Sequence, residues 1–271
     1  MLQRRISCSE RLRKGRNILK PLLAVVAVGL LLCLVSGQAV ADYREVAGYV
    51  YGPNGESRFA FNVYHFKKHF TPSQNFWELM YGRNWATAQY YWAEERFFKN
   101  QPPDNHKFFV DRVDLAYYSG HGNQYGFRDG PGGNWVDLRA APGYGDLFNG
   151  DDLEFLILQT CAAIPSPIER PTDWWTGWVP NGIFQGLHMV VGYRTGSYSG
   201  NGISNDFGRR LKHGQSIIWA WFDAVNSERS GGFYPGYASA VLYPGLDNDS
   251  IYFYGQDPPA HHGSLRVWYQ H

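Results

Sequence analysis

Two short stretches place a histidine and a cysteine in matching positions. In "LAYYSGHGN" an apolar run breaks at glycine, and His121 stands between Gly120 and Gly122. In "FLILQTCAA" a second apolar run ends in Gln159-Thr160, and Cys161 follows at once. An imidazole can act as base toward a thiol, or hold it as the thiolate, which is the activated nucleophile. If the two runs are parallel neighbouring strands, about 4.8 Å apart, both side chains leave the sheet at the same edge. Gly122 lets the backbone come close to a substrate carbonyl. Its N–H, with that of Cys161, could then cradle a developing oxyanion. Taken singly, each residue also has a plain structural role. His121 would be a turn residue between glycines, and Cys161 a packed thiol at the end of a core strand.

The cysteine count separates these readings. The chain has three cysteines, Cys8, Cys33 and Cys161. The first two lie in a segment with the form of a secretory signal. Residues 1–20 carry seven bases against Glu10 alone, and "PLLAVVAVGLLLCLVSGQAVA", residues 21–41, has no charge. Its apolar heart, Leu22 to Val35, has the length of a signal h-region and is short for a membrane span. Ala39-Val40-Ala41 supplies small residues for cleavage before Asp42. Residues 1–41 are therefore expected to be a signal peptide, with residues 42–271 a single secreted or periplasmic domain. That domain keeps one cysteine and no possible internal disulfide. A lone thiol in an oxidising compartment calls for a reason.

Charge narrows the partners. Of 25 Lys+Arg and 24 Asp+Glu, removal of residues 1–41 takes seven bases and one acid, leaving 18 against 23, about −5. That balance argues against nucleic acid or an anionic membrane surface as partner.

The elements that would carry the pair read as α/β. Arg58–Phe66 is expected as a strand and Ser73–Lys99 as a long helix. Val113–Tyr118 follows as a strand. A glycine-rich connection then holds at most one short helix, near Asp146–Asn149. "LEFLILQT" is apolar throughout, as in a strand covered on both faces of a parallel sheet. "LHMVVGYRTG" is a further buried strand, Asn205–Val225 a helix, and Tyr237–Tyr243 a last sheet strand. "DSIYFYG" and "LRVWYQ" are possible edge pieces. The alternation predicts an open, mostly parallel sheet with helices on both faces. In such sheets the site lies beyond the carboxyl ends of the strands. His121 and Cys161 both fall there.

At this point the chain resembles a known superfamily. An apolar block ending in His-Gly, then a second ending in cysteine, is the signature of the caspase-like cysteine peptidases, which include caspases, metacaspases, legumain, gingipains and separase. "LAYYSGHGN" and "FLILQTCAA" resemble it, with a glutamine two before the cysteine as in caspases. The stretch from Gly182 to Ala224 is similar to the downstream part of gingipain-like and bacterial caspase-like domains. The likeness spans about Arg58 to Tyr243. It implies a caspase-like three-layer sandwich and a cysteine endopeptidase acting on peptide or protein substrates without metal or organic cofactor. It implies His121 as base, Cys161 as nucleophile, and the Gly122 and Cys161 N–H groups as oxyanion hole. The turn at Gly192–Ser199 would line a substrate pocket, with Tyr193 and Arg194 in it and Arg194 placed to read an acidic side chain. A clear helix between His121 and Cys161, present in many relatives, is missing.

Other readings stay open. A secreted binding module could use the Trp- and Tyr-rich loops, such as "DWWTGWVP", on glycans or protein; those tryptophans could equally seal a loop onto the domain. A transferase or amidase would share the acyl-enzyme chemistry. His65 and His69 are four apart but have no acidic third ligand, so no metal site is expected. His188, at the start of a buried strand, reads as a core histidine. "GPGGNW" lacks the Gly-Lys-Ser/Thr ending of a phosphate loop. No Gly-x-Ser-x-Gly elbow occurs.

Overall fold

The computed structural model describes residues 44–50, 57–70, 85–90, 97–99, 105–128, 134–140, 143–145, 153–170, 178, 183–197, 200–231, 236–254 and 265–271. The expected signal segment lies outside them. So do Asp146–Asn149 and all of "DWWTGWVP" except Trp178. Residues 43–271 group into one compact unit.

The strands of the main sheet are β1 (Arg44–Val50), β2 (Trp85–Tyr90), β3 (Leu115–Ser119), β7 (Phe155–Gln159), β8 (Met189–Tyr193), β9 (Ala238–Leu242) and β10 (Arg266–Tyr269). Their order is β10-β9-β8-β7-β3-β1-β2. The five from β2 to β8 are parallel, and β9 runs antiparallel to β8 and β10. The fold is thus α/β with a mostly parallel sheet. The order of the parallel strands is doubly wound, and its direction of winding reverses between β1 and β3. Three short strands, β4 (Gly122–Asn123), β5 (Gly126–Arg128) and β6 (Trp135–Asp137), form a separate antiparallel sheet inside the glycine-rich connection.

The central strands are buried at every position because both faces are covered, and they are apolar except at the strand ends Ser119 and Gln159. All five residues of β7 are buried. Phe155 and Ile157 join the core on one face, Leu156 and Leu158 the core on the other. The first core is closed by α1 (Ser57–Lys67), α2 (Asn201–Lys212) and α3 (Ile217–Ser230). Among the described residues the opposite face has no α-helix. Phe98, Phe127, Leu138, Tyr144 and Trp178, from turns, loops and the small sheet, close it instead. Trp178 is fully buried and stacks on Phe184 at 6.3 Å.

Several expectations are corrected. Arg58–Phe66 is helical: Phe59, Val63, Phe66 and Phe70 recur at 3.6-residue spacing and are all buried. Trp85–Tyr90 is not helix but the edge strand β2, paired in parallel with β1. The expected helix at Asn205–Val225 is two helices. Gly214 adopts φ +81, and the Gln215 N–H bonds back to the Arg210 carbonyl at 3.1 Å, a glycine-ended helix terminus. Of the two edge candidates only "LRVWYQ" forms a strand; Ser250–Phe253 is a turn, closed by the Ser250 N–H on the Phe253 carbonyl at 2.8 Å.

Phe66 joins three elements of the first core. It stacks on Tyr117 at 4.3 Å and on Phe207 at 5.6 Å. Phe66→Ala leaves a void that rigid neighbours cannot fill, so a loss of about 3–5 kcal/mol is expected in urea unfolding of the domain. A loss below about 1 kcal/mol would show that α1 is not packed as described.

Candidate active site

The register of β3 on β7 brings the two chemically notable residues to one edge. Ser119 pairs with Gln159 at the carboxyl ends of the two strands. His121 and Cys161 each follow two residues later; His121 leaves β3, which borders the reversal point of the sheet, and Cys161 leaves its neighbour β7.

A buried polar network fixes these strand ends. Gln159 is 3% exposed. Its side-chain oxygen lies 2.8 Å from the Tyr117 hydroxyl, 3.0 Å from Ser119 Oγ and 3.2 Å from Ser204 Oγ. Its nitrogen reaches the Gly200 carbonyl at 3.4 Å, and Asn62 Nδ2 donates to Ser119 Oγ at 3.1 Å. The network therefore ties β3 and β7 to α1 and α2. Burial pushes the Tyr117 hydroxyl well above the ordinary phenol range, so it stays a neutral donor.

The chain leaves both strands in tight turns. The His121 carbonyl accepts the Arg128 N–H at 2.9 Å, and the His121 ring meets Phe59 edge-on at 5.3 Å. That carbonyl bond makes His121 and Arg128 a hydrogen-bonded pair of the hairpin. By alternation Gly122 and Phe127 are the non-bonded pair, so the Gly122 N–H points away from β5. Gly122 also packs too closely for any side chain: a Cβ would sit 2.4 Å from Thr160 Oγ1 and 2.7 Å from the Gly126 carbonyl oxygen. The loops bearing His121 and Cys161 thus touch directly through Gly122 and Thr160.

Cys161 is half-buried and its thiol is free. Among the described residues its N–H has no backbone acceptor. The next residue, Ala162, has φ +45, the one non-glycine residue in left-handed backbone among those described. Such strain gathers at functional turns and is held by its surroundings. Here the Ala162 N–H donates to the Thr195 carbonyl at 2.8 Å and the Ile164 N–H to the Tyr193 carbonyl at 3.0 Å. These bonds dock the turn on the segment after β8. From that segment the Ser197 N–H reaches Cys161 Sγ at 3.4 Å and Ser197 Oγ lies 3.7 Å from it, while the thiol is 3.5 Å from the Ser197 carbonyl.

Tyr193 and Arg194 are placed otherwise than as pocket walls. Tyr193 is fully buried against Trp221, with ring centroids 5.1 Å apart. Arg194 is 8% exposed; its guanidinium pairs with Glu169 at 2.9 Å, donates to the Gln270 carbonyl and lies 4.8 Å over the Tyr237 ring. It fastens β10 to the loop that follows Cys161. The group expected to read an acidic substrate is already committed to an internal carboxylate.

Three other histidines have structural settings. His188 is fully buried, with Nδ1 2.6 Å from Asp249 Oδ2, the core histidine expected. His69 Nε2 lies 2.9 Å from Asn205 Oδ1, and His65 Nδ1 3.1 Å from Lys68 Nζ. Among the described residues no three His, Cys, Asp or Glu side chains are grouped to hold a metal. No described helix is long and apolar enough to cross a membrane.

Sequence reasoning missed Ser197, Ser119 and Ala162. The signal for Ser119 was available: it directly precedes the Gly-His-Gly turn and faces Gln159 in any register that aligns the two apolar runs. Ser197 and Ala162 act through loop geometry that no pattern announces.

The close approach of Gly122 gives a direct check. Gly122→Ala must push Thr160 or the Gly126 carbonyl aside, so a loss of about 1–3 kcal/mol is expected in thermal or denaturant unfolding. The double variant with Thr160→Ser, which removes the methyl but keeps the clashing oxygen, is expected to recover only part of it. Full stability in Gly122→Ala would show the two loops are not in contact.

No curated protein matches the chain. A family model described as "Domain of unknown function (DUF6345)" matches residues 59–269, from the first turn of α1 to the end of β10. The chain belongs to the DUF6345 family.

Proposed function

We propose that this protein is an exported cysteine peptidase with a His121/Cys161 dyad on a caspase-like α/β sheet. The observation that carries the reading is the pairing of Ser119 with Gln159, which sends both residues off the carboxyl edge of two neighbouring parallel strands. The strained turn at Ala162 and the Gly122 N–H turned away from β5 support it.

The chemistry follows from the groups present. Cys161 Sγ attacks the peptide carbonyl carbon while His121 takes the thiol proton. The oxyanion receives the Gly122 and Cys161 N–H groups. The C–N bond breaks as His121 delivers the proton to the leaving amine. Water, activated by the same imidazole, then cleaves the thioester and returns the proton to sulfur.

A thiol-directed chloromethyl ketone is expected to label Cys161 in the folded protein, and at least about tenfold more slowly in His121→Ala. A peptide library is expected to yield products with the wild type and none with Cys161→Ala. Equal labelling of wild type and His121→Ala, with no products from either protein, would overturn the peptidase reading. Retained glycan or protein binding by Cys161→Ala in that case would favour the binding module.

A further inference from the structure

The Cys161 sulfur lies at the end of β7, between β3 on one side and β8 on the other. His121 comes from the β3 side. What faces the sulfur from the β8 side is Ser197, with N–H at 3.4 Å, hydroxyl at 3.7 Å and carbonyl oxygen at 3.5 Å. These are three contacts from one residue to one sulfur.

The contacts are not the chance pose of a loose loop. The segment from Arg194 to Ser197 is held on two sides. Toward Cys161 it accepts the Ala162 and Ile164 N–H groups through Thr195 and Tyr193. Toward β9 the Arg194 N–H donates to the Tyr237 carbonyl at 2.9 Å, and the Tyr237 N–H donates to Thr195 Oγ1 at 3.2 Å. Gly236, at φ +105, lies so close that a Cβ there would sit 2.8 Å from the Gly196 carbonyl oxygen. Ser197 is therefore presented to the sulfur by a braced turn.

The two protonation states of sulfur need opposite partners. A thiol donates and a thiolate only accepts. The Ser197 carbonyl suits the first, and its N–H and hydroxyl suit the second. Hydrogen bonds to an ionised acceptor are the stronger kind, and Ser197 turns two donors toward the sulfur. The other titratable groups around the sulfur do not supply this. Tyr193 is held neutral by burial. The Arg194 charge is spent on Glu169.

We propose that Ser197 is the second partner of the Cys161 thiolate, its hydroxyl and N–H holding the sulfur from the β8 side while His121 serves from the β3 side. The role rests on the dyad reading above for its use in catalysis, but not for its effect on the thiol. Ser197 contacts the sulfur itself.

The test is the rate of Cys161 alkylation by iodoacetamide against pH, in wild type, Ser197→Ala, Ser197→Thr and His121→Ala. Ser197→Ala is expected to move the midpoint up by about one pH unit, so that alkylation below the midpoint slows about tenfold. Ser197→Thr, which keeps a hydroxyl, is expected to stay within about twofold of wild type. Ser197→Gly removes the hydroxyl with no added bulk and repeats the measurement if the alanine variant misfolds. An unchanged midpoint in Ser197→Ala or Ser197→Gly, beside a shifted one in His121→Ala, overturns the Ser197 role and leaves the dyad. A shift in the Ser197 variants with none in His121→Ala upholds Ser197 and removes the dyad.

Discussion

The arrangement depends on one buried amide. Gln159 sits between the carboxyl ends of β3 and β7, and its polar atoms are cut off from water. A buried amide without partners costs several hydrogen bonds' worth of free energy, so the surrounding hydroxyls are obligatory. They come from Tyr117 and Ser119 on β3 and Ser204 on α2, with Asn62 of α1 supporting Ser119. Apolar packing alone tolerates some sliding between these elements. The hydroxyl geometry does not, because a one-residue slip of β7 would turn Gln159 to the opposite face and leave its partners unsatisfied. The register that aligns Ser119 with Gln159 is thus set by polar atoms inside an apolar sheet. The emergence of His121 and Cys161 at the same edge follows from it.

Beyond the strand ends the constraint becomes steric. The contact of Gly122 with Thr160 excludes any Cβ, and Ala162 holds a backbone conformation that L-residues avoid. Both features carry a cost that the sheet below and the turn after β8 offset. Arg194 belongs to the same bracing. Its guanidinium joins Glu169, the Gln270 carbonyl and the face of Tyr237, so the last strand and the loop after Cys161 are fastened through one side chain. An arginine beside a candidate active site reads from sequence as a ligand for substrate. Its near-complete burial and its carboxylate partner show that a protein's own acid can claim such a group first.

How much of this was legible in the sequence depends on what each residue responds to. The buried parallel strands were plain: "FLIL" and "MVVGY" are apolar runs because two cores meet across them. The placing of His121 and Cys161 at strand ends followed; the order of the strands did not, and β1 beside β3 went unread. The helix at Ser57–Lys67 was misread because Phe59, Phe61 and Val63 alternate as in a strand, while the helical spacing stands out only when Phe66 at the end of the window and Phe70 beyond it are counted. "WATAQY" has the composition of a helix and is an edge strand because β1 offers it a parallel partner. The three-stranded sheet in the glycine-rich connection was invisible, since strands of two or three residues carry no periodicity. In the site, the residue types were readable and their partners were not. Gln159 was noted for its position before the cysteine, but its function as the hub of the sheet end exists only once α1 and α2 are folded onto it.

The half-burial of Cys161 is what makes its surroundings matter. A fully exposed thiol is solvated by water in either protonation state, and a fully buried one is held neutral by its apolar surroundings. At an intermediate position the protein must supply the solvation itself. Ser197 offers an acceptor for the thiol and donors for the thiolate within the same turn. Loss of the proton therefore exchanges one contact for two others without moving the chain. Because the turn is braced against both the loop after β7 and the approach to β9, that exchange needs no reorganisation of the chain, which is the condition under which fixed dipoles act most strongly. The sheet supplies the direction of the sulfur, and the turn after β8 supplies its electrostatic environment.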